Sequence, residues 1–77
     1  MQPAPVESTS LVTVAYDARR KLLQLEFRNQ AIYHYFGVPA TVHEALLQAS
    51  SKGQYFNHVI RGKFPYALKC LKLDSLS

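Results

Sequence analysis

Apolar residues alternate with polar ones through the first half of the chain and recur at helical spacing through the second. In Leu11-Val12-Thr13-Val14-Ala15-Tyr16 the β-branched content marks a strand, with Val12, Val14 and Tyr16 on one face. The polar turn Asp17-Ala18-Arg19-Arg20-Lys21 follows, and Asp17 can bond the backbone two residues on. From Leu22 to Arg28, Leu23, Leu25 and Phe27 alternate with Gln24, Glu26 and Arg28, the pattern of an antiparallel strand with one face buried.

A third strand, Ala31 to Phe36, carries Tyr33-His34-Tyr35, and the loop before it decides which way the tyrosines face. A two-residue loop, Asn29-Gln30, would pair Phe27 with Ile32 and Leu25 with His34. A three-residue loop, Arg28 to Gln30, pairs Leu25 with Tyr33 and Leu23 with Tyr35, and sends His34 outward beside Gln24 and Glu26. We favour the second, because a histidine among leucines leaves ring nitrogens to satisfy at about 1–3 kcal/mol per unpaired group. Its drawback is that Ile32 and Phe36 then lie on the outer face or its edge.

Gly37-Val38-Pro39 ends the sheet and opens a helix, with Pro39 at or just before the first turn. Val42, Ala45, Leu46 and Ala49 form one apolar stripe to cover the strands, while His43, Glu44 and Gln48 face away. Ser50-Ser51 offers a cap for a second helix from about Lys52 to Arg61, with Tyr55, Phe56, Val59 and Ile60 on its buried side and Gly62 as its stop. Ala67 to Leu73 alternates well enough for a short C-terminal strand. Residues 1–7, with two prolines, read as a flexible lead-in to one domain over 8–77. The expected class is therefore α+β: a three-stranded antiparallel meander, then two short helices packed on one face.

The chemistry of the side chains narrows the function. His34, His43 and His58 fall on separate elements among polar neighbours and read as solvated imidazoles. The lone Cys70, read as a core or half-buried residue, has no base at nucleophile spacing, and there is no glycine-rich phosphate loop. The expectation is a non-enzymatic protein with neither cofactor nor metal. No stretch approaches membrane-spanning length, and the single cysteine implies no disulfide framework, so a soluble, cytoplasmic protein is expected.

Nine Lys and Arg against five Asp and Glu give a net charge of +4, a bias toward anionic partners. Lys52 beside Gly53 stands at a helix start, and Arg61 and Lys63 extend a basic patch with Tyr55 or Tyr66 as stacking rings. On their own these residues read more simply as a capped helix with a solvated charged end.

The ordered set Val14-Ala15-Tyr16-Asp17, the Phe27 strand, Tyr33-His34-Tyr35, Val38-Pro39, Ser51-Lys52-Gly53, Tyr55-Phe56-Asn57, Ile60-Arg61 and Phe64-Pro65-Tyr66 resembles the KTSC domain, from about Ser8 to Tyr66. Ala15 and Gln30 stand where that family tends to have Gly. The family is named for its occurrence at the C-terminus of some lysyl-tRNA synthetases and also forms small single-domain proteins. The resemblance implies the fold and, through the synthetase association, RNA binding. With it the reading becomes a small binding module for RNA, with Lys52, Gly53, Tyr55, Arg61, Lys63 and Tyr66 as the contact residues. The alternative is a protein-interaction module acting through a strand edge or a homodimer contact.

Overall fold

The alternation in the first half folds as antiparallel hairpins. The computed structural model describes residues 3–6 and 10–71. Its strands β1 (Ala4–Pro5), β2 (Leu11–Asp17), β3 (Leu22–Phe27), β4 (Ala31–Phe36) and β5 (Tyr66–Leu71) lie side by side in chain order as one antiparallel sheet. The three-stranded meander is thus the centre of a five-stranded sheet. The lead-in segment is extended and supplies β1, with Ala4 opposite Val14 and Pro5 opposite Thr13. The C-terminal strand forms; Lys72 and Leu73 of the expected span, like residues 1, 2 and 7 of the lead-in, fall outside the described residues.

Between β3 and β4 the loop has three residues. Leu25 pairs with Tyr33, Leu23 with Tyr35 and Gln24 with His34, the register favoured above. His34 faces outward, its Nε2 2.8 Å from Gln24 Oε1. Phe36 lies on the exposed side as that register requires, 42% accessible. One expectation fails in β2, where a bulge between Leu11 and Thr13 shifts the register. The extra residue puts Leu11, not Val12, wholly in the core beside Val14.

The chain leaves the sheet through Val38, which is fully buried yet has both backbone groups satisfied: its N–H donates to Lys21 O at 2.9 Å and its carbonyl accepts from Tyr16 Oη at 2.5 Å. Pro39 caps α1 (Ala40–Gln48), where its missing N–H is harmless. Ser51 caps the second helix by accepting from the Gln54 N–H at 3.3 Å. That helix is α-helical over Lys52–Tyr55 (α2) and then widens to a π-helix over Phe56–Ile60, closed by Arg61 N–H donating to Phe56 O at 2.8 Å. Gly62, at φ +76°, takes the left-handed turn out of it.

Both helices pack on one face of the sheet. Leu46 from α1 and Phe56 and Ile60 from the π segment close over Leu11, Val14, Leu23, Leu25 and Tyr35. His43 does not face away as its polar character implied: its ring stacks on Tyr16 at 4.6 Å and 16°. Cys70, expected in or near the core, is exposed, because it lies on the outer face opposite Ile32 near the sheet edge. No helix among the described residues is long and apolar enough to cross a membrane.

Candidate functional site

The register that buries Leu23 and Leu25 also decides where the tyrosines gather. On the helix side of the sheet, Tyr33 sits beside Leu68 and Tyr35 beside Tyr66, across the β4–β5 ladder. Tyr35 is 5% accessible and belongs to the core, whereas Tyr66, on the outermost strand, is 62% accessible. The tyrosines thus grade from buried to open.

Phe27 and Phe56 complete an aromatic ring of contacts. Phe27 meets Tyr33 edge-on at 5.7 Å and Phe56 at 5.2 Å, and Phe56 meets Tyr35 at 5.6 Å. Tyr66 lies 5.7 Å from both Tyr33 and Tyr35. These edge and tilted geometries suit the ring quadrupoles and hold the rings apart. Between them is a cavity of about 310 Å³, also lined by Asn29, Arg61 and Gly62. The widened last turn of the second helix brings in Arg61, because a π turn needs one more residue to close and so changes where the chain departs.

Burial, with Tyr33 and Tyr66 close by, pushes the Tyr35 phenol up to about 12 against the opposing pull of Arg61, so it stays neutral under ordinary conditions. His34 is lowered by burial and by Lys69, and His43 by burial, with Glu44 opposing. Neither histidine lines the cavity, nor does any carboxylate or thiol. Among the described residues no group of three or more His, Cys, Asp and Glu could hold a metal ion. The cavity offers ring faces, hydrogen-bonding groups and one guanidinium.

The sequence-read contact residues divide between the two ends of the second helix, nine residues or roughly 13 Å apart at a helical rise. Arg61 and Tyr66 line the cavity, and Lys63 lies between them in the chain, exposed, on the turn. At the other end Lys52 Nζ donates to Ala49 O at 3.2 Å, which satisfies a carbonyl at the end of α1. Gly53 packs against Ser10: a Cβ there would stand 2.9 Å from Ser10 Oγ. Tyr55 is half-buried against the core. Phe27, Asn29, Tyr33, Tyr35 and Phe56 were not among the expected contacts, because their spacing reads as core and turn. The signal that could have flagged them is the excess of aromatic residues on one sheet face.

Residues 7–64 match the family model described as the KTSC domain. A lysine–tRNA ligase from Trichormus variabilis is 43% identical over 60 residues, 78% of this chain and 11% of that protein. The chain therefore spans about a tenth of the length of such ligases. An uncharacterised protein from Stutzerimonas stutzeri is 39% identical over 61 residues, 79% of this chain and 86% of that one. The crystal structure of a KTSC domain protein from Yersinia pestis superposes with a TM-score of 0.87 at 38% identity, covering 90% of this chain and 97% of the other. With the match running from just before β2 through the cavity-lining helix, and with the same fold in a solved member, the chain belongs to the KTSC domain family.

Proposed function

We propose that the protein is a non-enzymatic RNA-binding module that takes one unpaired base of a single strand into the aromatic cavity. The observation that carries this reading is the pairing of an open ring surface, Tyr66 over Tyr33 and Tyr35, with Arg61 on the same cavity. Bases of single-stranded RNA stack on such rings, and Arg planes and basic charge hold the strand. At about 310 Å³ the cavity is at the small end of ligand sites, room for one base rather than an extended ligand. A ring of tyrosines and phenylalanines also suits a quaternary ammonium, but Arg61 repels a cation and no carboxylate in the lining offsets it. The net charge of +4 and the occurrence of related segments in lysine–tRNA ligases support the same choice. Arg61 and Lys63 supply the positive rim and Tyr66 the stacking ring, while Lys52, Gly53 and Tyr55 hold the helix in place.

Fluorescence anisotropy with a short single-stranded RNA tests the reading. Tyr66→Ala and Arg61→Ala are each expected to weaken binding, about tenfold for the ring, since stacking contributes about 1–3 kcal/mol per base. No binding at low salt, or binding indifferent to both substitutions together, sinks it.

One observation favours a protein contact instead: β5 is an edge strand with Leu68 50% accessible beside Tyr66. Sedimentation decides this, since a second copy on that edge makes a dimer that Leu68→Lys disperses.

A further inference from the structure

Hydrogen bonding on the cavity wall is one-sided. Asn29 lines the cavity from the β3–β4 loop, and its Oδ1 accepts the Ala31 backbone N–H at 3.1 Å. That bond fixes which way the amide is turned, so what Asn29 has left to offer is its NH2, a donor. Arg61, reaching the same cavity from the helix end, carries donors only. The phenols of Tyr33, Tyr35 and Tyr66 can donate or accept and discriminate little. With no carboxylate or histidine in the lining, every committed polar side chain on the wall is a donor.

A base edge that satisfies such a wall must present acceptors side by side. Guanine does so with O6 and N7, and an unpaired cytosine does so with O2 and N3, whereas adenine sets its N6 amino group beside both N7 and N1. Uracil offers O4 alone on that edge. An amino group held against Asn29 NH2 or the guanidinium would leave two donors facing each other, where an acceptor would make a hydrogen bond with each. From this geometry we infer that the cavity selects guanine over adenine, read along its O6/N7 edge by Asn29 and Arg61. The inference rests on the RNA-binding reading above and adds the base. Asn29 becomes the specificity-determining residue, oriented by the bond with which the same side chain closes the turn onto Ala31.

Adenosine pentanucleotides with G, U, C or A at the centre test this by anisotropy against the full chain. The G form is expected to bind about tenfold tighter than the A form, with C and U between. Replacing the central guanine by 7-deazaguanine, which removes the N7 acceptor and leaves the opposite edge intact, should bring affinity down toward the A form. Asn29→Asp keeps an oxygen for the Ala31 N–H and so keeps the loop, but exchanges the donor for an acceptor. It is expected to abolish the ratio of G to A binding whatever it does to affinity. Equal affinity for all four RNAs overturns the inference and leaves the binding reading standing, whereas no binding of any of them ends both. A guanine preference untouched by Asn29→Asp, or by 7-deazaguanine, overturns the assigned edge.

Discussion

Gln30 holds a left-handed backbone, φ +70°, in the last position of the loop between β3 and β4. A three-residue hairpin loop calls for that conformation there, and the Gln30 N–H closes the turn by donating to Phe27 O at 2.9 Å. For a residue with a Cβ the left-handed region costs about 1–2 kcal/mol, and glycine avoids this at a loss of about 0.5–1 kcal/mol in unfolded-chain entropy. The balance favours glycine, the residue to which the resemblance pointed at this position. Gln30→Gly is therefore expected to raise stability by about 0.5 kcal/mol, read as a higher urea midpoint with an unchanged slope. An unchanged or lower midpoint would mean that the strain is relieved elsewhere in the loop. The neighbouring Asn29 is a contrasting case, since its side chain serves the loop and the cavity at once, and a substitution there must be chosen to keep the Ala31 contact.

Helix α1 is fastened to the sheet by an aromatic pair as well as by Leu46, and the histidine of that pair titrates. His43, stacked on Tyr16, has its pKa lowered by burial from the ordinary 6.5, with Glu44 pulling the other way, and His34 is lowered in the same direction by burial and Lys69. A histidine with a lowered folded pKa binds its proton more tightly when the chain unfolds. Its stability contribution is complete above 6.5 and declines as pH falls from there through the folded value. The urea midpoint should accordingly drop on mild acidification, and His43→Phe, which keeps a ring on Tyr16, should flatten part of that drop. A midpoint that rises on acidification contradicts the assignment. That His43 does this work was not legible in its neighbours, because Glu44 and Gln48 on the same helix do face solvent and only the path of β2 brings Tyr16 beneath it. The strand register was legible, since the alternation of Leu23, Leu25 and Phe27 and the penalty on a buried His34 bear on the same choice. The β2 bulge and the π turn were not, as each adds one residue to a ladder or a turn without changing composition. Arg61 and Tyr66 could be singled out as basic and aromatic, but the cavity between them forms where a hairpin end, an edge strand and a helix end converge, and no local pattern encodes that meeting.

In the proposed RNA-binding module, charge and ring surface would divide the work of binding, and they respond differently to salt. Binding to a single strand weakens with salt by about 0.7 in log–log slope for each phosphate neutralised, since each contact releases a counterion. Arg61 lines the cavity and Lys63 stands exposed on the turn beyond it, whereas the Lys52 ammonium is engaged with Ala49 O at the opposite end of the second helix. If the strand enters at the cavity, removing Arg61 and Lys63 together should flatten the slope by about 1.4, two contacts' worth. Lys52→Ala, checked for folding because it frees a helix-end carbonyl, should leave the slope as it is. Tyr66→Ala is the internal control: stacking displaces no counterion, so affinity should fall at every salt concentration while the line keeps its slope. Were Lys52→Ala to flatten the slope as much as Arg61→Ala does, the strand would have to run along the whole helix, and the cavity would be one stop on a longer track rather than its centre.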